Sequence, residues 1–170
     1  MVNEVADLLI EYGAIEFGDF TLASGSKSSY YIDIKSASTN PFLLGSIGRI
    51  IAERYNFDVV AGVAVGAVPI AVSASLSAGK PYAIIRKEEK DYGKGGTIIG
   101  NVEGKDVLLV EDVSTSGGSV LYGVECLRNA GANVKRVVTV VDREHGAVET
   151  LKKKGIELCA LVSVSEIMNR

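Results

Sequence analysis

An alternation that begins at Asp58 constrains this chain more than any other feature. Short apolar runs cover Asp58–Val63, Pro81–Ile85, Asp106–Val110, Val134–Val141 and Glu157–Val164. Segments with helical spacing lie between them at Pro69–Ala78, Gly118–Ala130 and Ala147–Lys154. The runs are apolar throughout rather than at every second residue, so each strand is covered on both faces. Strands of that kind alternating with helices predict an α/β fold built on a doubly wound, mainly parallel sheet. In such sheets ligands bind beyond the carboxyl ends of the strands, so the loops there are where chemistry is expected. Upstream, Val2–Glu11 has helical spacing and stops at Gly13, a C-terminal cap glycine. Ser28–Ile34 reads as a strand after a Ser24-Gly25 turn. Asn40-Pro41 opens a helix that runs to about Tyr55, with Asn as the cap and Pro in the first turn. At 170 residues the chain is expected to be one domain, 1–170, on a scale of roughly 100–200 residues per domain.

Composition narrows the function. Lys and Arg number 18 against 21 Asp and Glu, a net charge of −3, which disfavours a protein that coats nucleic acid. Cys126 and Cys159 are far apart and form no CxxC, so a disulfide framework and a zinc site are not expected, and a reducing cytoplasm is. His145 is the only histidine, in a charged stretch, and is expected to be an exposed bystander. Met1–Leu9 carries Glu4 and Asp7 and no basic segment, unlike a signal peptide. Val59–Gly79 has no charge and the length of a membrane span, but it is rich in Gly and Ser. A buried strand entering a glycine loop and a small-residue helix explains it better, and no membrane association is expected.

Four segments at predicted strand ends carry polar chemistry. In the first, the strand Val107–Val110 ends in Glu111-Asp112 and is followed by Val113, Ser114, Thr115, Ser116, Gly117, Gly118 and Ser119 at a helix start. Hydroxyls, free backbone N–H groups and a helix N-terminus make a phosphate cradle, and the glycines let an anion come close to the backbone. The acids suit sugar hydroxyls or a developing positive charge. The segment is neither a Walker A loop nor GxGxxG. The second, Arg86–Gly96, carries Arg86, Lys87, Lys90 and Lys94 with Gly93, Gly95 and Gly96. A mobile basic loop of this kind can close over a polyanion. The third, Phe20–Asp33, runs from a polar turn into Tyr30-Tyr31. The fourth comprises Gly62–Pro69 and Asp142-Arg143-Glu144, where an Arg fork presents paired donors to carbonyl or carboxylate oxygens. Taken singly, each also fits a plain role: a capped turn, a solvated charge run, a hairpin edge, a tight turn or a surface ion pair.

Together the four segments resemble the orotate phosphoribosyltransferases of the type I phosphoribosyltransferase family. Glu111–Ser119 is similar to the family's phosphoribosyl pyrophosphate (PRPP) motif, and Arg86, Lys87 and Lys90 match its catalytic loop, with Tyr92 where a His is frequent. Phe20–Asp33 resembles its N-terminal signature, with Ala23 where some members have Lys. The resemblance implies the type I fold with a small N-terminal hood, approximately 1–35, on a core of approximately 36–170. It implies transfer of the phosphoribosyl group of PRPP to orotate, with Mg²⁺ held mainly by substrate oxygens. PRPP would meet Arg86, Lys87, Lys90, Tyr92 and Glu111 through Ser119. Lys90, Asp112 and Glu111 would be catalytic. Thr115, Arg143 and Lys27 would meet orotate. It further implies a homodimer whose 86–97 loop crosses to the neighbouring site, and a single-function form without a decarboxylase domain. A purine phosphoribosyltransferase and a PRPP-sensing regulator on the same fold are the alternatives.

Overall fold

The computed structural model describes residues 4–21, 25, 27–87 and 96–169. Its elements are α1 (Glu4–Glu11), β1 (Ile15–Thr21), β2 (Lys27–Ile32), α2 (Ile34–Ala37), α3 (Pro41–Arg54), β3 (Val59–Val63), α4 (Ala67–Ala78), β4 (Tyr82–Ile85), β5 (Ile98–Ile99), β6 (Val107–Ser114), α5 (Gly118–Asn129), β7 (Arg136–Asp142), α6 (Ala147–Lys152), β8 (Glu157–Ser163) and α7 (Val164–Met168). β1 and β2 form an antiparallel ribbon, and the remaining strands form one sheet in the order β5-β4-β3-β6-β7-β8. Every pairing in that sheet is parallel except the edge pair β4–β5.

Burial explains the uninterrupted apolar runs. All five residues of β3 are buried, as are the first six of β6. Successive side chains alternate between faces. Val60, Leu108, Val110 and Val138 join a core with Leu43, Ile47 and Ile51 of α3 and Ile70 of α4. Val59, Ala61, Leu109 and Val137 join a second core with Val120, Val124 and Leu127 of α5 and Leu151 of α6. The sheet is therefore wound on both sides. α1 and the ribbon residue Ile15 pack into the first core through Val5 and Leu9, which ties the N-terminal ribbon to the sheet.

The structure shifts several predicted boundaries. β6 extends to Ser114, so Glu111 and Asp112 belong to the strand rather than to a loop after it; pairing with β7 through Ser114↔Asp142 carries the ladder that far. α4 starts at Ala67, two residues before the predicted Pro69. Proline fits the third helical position because the first N–H groups of a helix need no partner. A Cβ on Gly62 would lie 2.6 Å from the Ala67 carbonyl oxygen, so the strand must be bare where α4 begins. The predicted strand Ser28–Ile34 stops at Ile32, because Asp33 caps α2 by accepting from the Ser36 N–H. The last strand stops at Ser163, which forms a capping box with Glu166 and starts α7. α6 ends at Lys152 rather than Lys154. β1 and β5 were not predicted: β1 is mostly exposed and β5 has two residues, so neither carries an apolar period.

α3 and α4 cross closely at Gly48, where a Cβ would meet the Ser73 side chain and stand 2.6 Å from the Ser73 backbone carbon. Ser73 Oγ donates to the Leu44 carbonyl at 2.8 Å across the same contact. Gly45, three residues earlier on α3, has nothing within 4 Å of such a Cβ. We expect Gly48→Ala to destabilise the fold by about 1–3 kcal/mol through overpacking. Gly45→Ala should stabilise it by about 0.5–1 kcal/mol through backbone entropy. Urea unfolding of both variants checks the pair.

Candidate active site

The order of strands creates the site. From β3 the chain leaves by α4 to β4 on one side, and from β6 it leaves by α5 to β7 on the other. The two central strands, β3 and β6, therefore part company at their carboxyl ends, which is where a crevice opens in a doubly wound sheet. The 64–66 turn after β3 and the 115–117 turn after β6 flank it. The turn after β3 has a cis peptide between Ala64 and Val65. Gly66 is pressed against the end of β6: a methyl there would overlap Asp112 Oδ2 and stand 2.7 Å from Lys35 Cε.

Glu111 and Asp112 are consecutive on β6, so they point to opposite faces of the strand. Glu111 lies on the α5 side and Asp112 on the side of α2 and the 64–66 turn. Both are buried, at 5% and 8% exposure. Glu111 Oε1 accepts the Asp112 N–H at 3.1 Å, while Glu111 Oε2 is buried with no partner among the described residues. Burial first, and then the neighbouring Asp112 carboxylate, push the Glu111 carboxyl up to about 8; the Asp112 N–H and the Ser119 hydroxyl offset this only in part. Asp112 Oδ1 accepts the Val113 N–H at 3.0 Å, and its Oδ2 stands 4.0 Å from Lys35 Nζ. Near neutral pH the Glu111 carboxyl thus holds its proton. Among the described residues no cluster of three or more His, Cys, Asp or Glu could cage a metal ion.

The hydroxyl and glycine segment forms a pocket of about 200 Å³ lined by Glu111, Val113 and residues 114–120. Thr115, Ser116, Gly118 and Ser119 are exposed around it, and Val113 is half-buried. α5 begins after the cap residue Gly117, whose φ is 87° and which offers no side-chain cap, so the helix turns its first N–H groups toward the pocket without a side-chain acceptor at the cap. A Cβ on Gly117 would also stand 3.3 Å from Ala147 Cα. Ser114 departs from the expected cradle. It is buried, and its hydroxyl donates to Asp142 Oδ1 at 2.9 Å, which bolts the ends of β6 and β7 together.

Arg143 follows that bolt. Its N–H donates to the Ser114 carbonyl at 2.9 Å, and its guanidinium carbon stands 5.7 Å from the centre of the Tyr30 ring. Its Nε is buried and unpartnered among the described residues. Glu144 sits at φ 59°, a left-handed conformation uncommon for a side-chain-bearing residue, and its carboxylate accepts the Ser165 N–H at 2.7 Å and the Ser165 hydroxyl at 2.9 Å. The start of α7 thereby holds the turn that carries Arg143. His145 is exposed. Lys27 is engaged across the ribbon, donating to Thr21 Oγ1 at 2.8 Å, and it lines a concavity of about 390 Å³ that shares no residue with the pocket at the end of β6.

Both ends of the basic loop are pinned. The Arg86 N–H donates to the Thr97 carbonyl at 2.7 Å, and the Arg86 carbonyl accepts from the Tyr122 hydroxyl of α5 at 2.8 Å. Lys87 is exposed; Lys90 and Tyr92 lie outside the described residues. Sequence reasoning missed Lys35, Tyr30 as the neighbour of Arg143, and Asp142 as the bolt. A run of Asp33-Ile34-Lys35 after an aromatic strand is the only local signal for the first, and nothing local marks the other two.

The buried carboxyl at Glu111 makes the ligand-free fold sensitive to alkali. A carboxyl whose folded pKa is raised contributes stability that is fully present below its ordinary value of 4.5 and lost as pH rises through about 8. Between pH 5 and 8.5 the ligand-free wild type should lose more thermal stability than Glu111→Gln, which cannot titrate there. Melting curves of both across that range check it; parallel curves contradict a raised Glu111.

Comparison with known proteins fits this geometry. The phosphoribosyl transferase domain family matches residues 38–161. An orotate phosphoribosyltransferase of Methanoculleus marisnigri is 68% identical over 169 residues, covering 99% of each chain. The crystal structure of orotate phosphoribosyltransferase from Aeropyrum pernix superposes with a TM-score of 0.83 at 31% identity, covering 97% of this chain and 96% of that one. The Mycobacterium tuberculosis enzyme, solved in complex with PRPP, superposes with a TM-score of 0.78 at 30% identity over 98% of each chain. With a doubly wound sheet whose central strands end at a hydroxyl- and glycine-lined pocket, and with this likeness extending over nearly its whole length, the chain belongs to the orotate phosphoribosyltransferase family of phosphoribosyl transferases.

Proposed function

We propose that this protein transfers the 5-phosphoribosyl group of PRPP to orotate, releasing pyrophosphate and forming orotidine 5′-monophosphate for UMP synthesis, in the cytoplasm. The observation that carries the reading is the end of β6, where two buried carboxylates stand beside an uncapped, glycine-started helix. Within the single domain 1–170, the hood of approximately 1–35 covers the base side and the core of approximately 36–170 carries the PRPP side. Exposed Thr115, Ser116 and Ser119, with the amides of Gly117 and Gly118, hold the 5′-phosphate, while Val113 and buried Ser114 shape the turn. Glu111 and Asp112 take the ribose hydroxyls. The amides of the 64–66 turn, with Arg86, Lys87, Lys90 and Tyr92, meet the pyrophosphate. Thr115 and Arg143 meet orotate, with Lys27 at the hood.

The reaction breaks the bond from ribose C1 to the pyrophosphate oxygen, whose electron pair leaves with pyrophosphate, and forms a bond from a ring nitrogen of orotate to C1, with the proton of that nitrogen released to the departing pyrophosphate or to water. Positive charge grows on the sugar and negative charge on the leaving group, and the site stabilises both. Asp112, beside a Glu111 that keeps its proton, faces the cationic sugar. Lys90 and its neighbours face the leaving group from a loop that reaches over from the other subunit of a homodimer. Glu111 and Asp112 do not make a metal cage, but they would suit the water shell of a Mg²⁺ ion that arrives with the substrate, which would neutralise charge on the pyrophosphate. The Nε of Arg143, buried and without a partner among the described residues, and the guanidinium's place 5.7 Å from the Tyr30 ring centre support a planar acidic base as acceptor.

With PRPP and Mg²⁺, the protein should consume orotate in preference to uracil, adenine or hypoxanthine, followed by loss of each base. A preference for a purine would replace the reading with purine salvage, and turnover of none would favour a PRPP-sensing regulator.

Shared sites have a countable signature. Lys90→Ala and Asp112→Asn should each lower kcat by roughly 10²–10³-fold, the scale of one lost transition-state contact. If the loop crosses between subunits, a mixed dimer has one doubly defective and one intact site. Random exchange of the two purified variants should then restore about a quarter of wild-type activity by two-fold counting. No recovery on mixing means that each loop serves its own subunit.

A further inference from the structure

A cation outside the 86–97 loop reaches the crevice. Lys35 stands on α2, at the junction of the ribbon and the core, and its ammonium is 4.0 Å from Asp112 Oδ2. Its Cε occupies the space that a side chain on Gly66 would need. The lysine therefore lies in the notch between the carboxylate on β6 and the turn after β3. Its placement is determined by the elements around it. Asp33 caps α2 by accepting from the Ser36 N–H at 3.0 Å and the Ser36 hydroxyl at 2.7 Å. Ile34 and Ala37 are buried in the core, so the residue next to Ile34 is turned outward over the crevice.

The side-chain exposures are unequal: 68% for Lys35 and 12% for Asp112. An ion pair with one partner so exposed, at this distance, adds little to stability. Its ammonium is open to an incoming anion. A ligand bearing pyrophosphate meets the buried Asp112 carboxylate at the strand end, and the repulsion has to be offset within a few ångströms. Among the described residues, Lys35 is the cation within ion-pair distance of Asp112.

We propose that Lys35 is a substrate-binding cation: its ammonium moves from Asp112 to the pyrophosphate of PRPP as Asp112 takes up the ribose hydroxyls. Ligand binding then exchanges one ion pair for another, and the carboxylate facing the sugar is freed only when the leaving group is seated. This rests on the PRPP reading of the crevice. It adds a cation from the same subunit as the acids.

Calorimetric titration of wild type, Lys35→Met and Lys35→Arg tests it, with PRPP, inorganic pyrophosphate and ribose 5-phosphate as separate probes in the presence of Mg²⁺. Lys35→Met should weaken PRPP and pyrophosphate by roughly 10–100-fold, the scale of a hydrogen bond to a charged group. It should leave ribose 5-phosphate unchanged, and Lys35→Arg should recover most of the loss. In turnover the KM for PRPP should rise while that for orotate holds. Unchanged PRPP affinity in Lys35→Met overturns the proposal, and so does an equal loss for ribose 5-phosphate, which would mean a general disturbance of the site. Wild type that binds PRPP but spares orotate overturns the choice of base and leaves the Lys35 comparison decisive. Wild type that binds no PRPP overturns both.

Discussion

Everything in this molecule depends on the parting of two parallel strands that are buried on both faces. β3 and β6 are hydrogen-bonded neighbours, yet the chain leaves them in opposite directions. Their carboxyl ends are left without a crossover above them. The backbone must stay bare for that crevice to be narrow. Gly62 admits the start of α4, Gly66 admits Asp112 and Lys35, and Gly123 lets α5 approach Val63 and Leu109, where a Cβ would stand 2.9–3.0 Å away. Each of these glycines exchanges packing area for proximity, and the proximity is what brings polar groups from different elements within reach of one ligand.

The ladder of β6 then decides the electrostatics. Because pairing with β7 continues through Ser114, both acids are carried inside the fold instead of being released to water. A buried carboxylate without a partner is costly, by about 1–3 kcal/mol or more. Glu111 answers by holding its proton, and Asp112 by facing Lys35. Neither solution is good for the ligand-free protein. In the proposed reaction both acids would face a sugar that becomes cationic, so the burial that costs the fold stability would serve turnover.

The base side shows a second kind of support, from rigid connections rather than charge. Asp142 accepts from Ser114 and from the Glu144 N–H at 3.1 Å, and Glu144 is held in turn by Ser165. Arg143 lies between these two anchors with Tyr30 across its guanidinium. The N-terminal ribbon thus meets Arg143 and the C-terminal helix meets its neighbour Glu144, which ties the turn after β7 to both ends of the chain.

Most of the architecture was legible in the sequence. Uninterrupted apolar runs are a property of the strand itself, and they declare burial on both faces wherever the strand ends up. The hydroxyl and glycine segment after Asp112 and the Asn40-Pro41 helix start are equally local. The two-residue β5, the exposed ribbon strand β1 and the extension of β6 through its acids were not legible, because pairing partners rather than their own patterns make them strands. The same division runs through the site. The sequence alone determined which residue types stand at the strand ends, since turn and phosphate-cradle chemistry is written in consecutive residues. Only the tertiary structure decided that Ser114 is a bolt to Asp142, that Tyr30 covers Arg143, that Glu111 is the acid holding the proton, and that Lys35 reaches Asp112 over Gly66. Those contacts join residues distant in the chain, and depth of burial sets a protonation state that no local pattern of residues encodes.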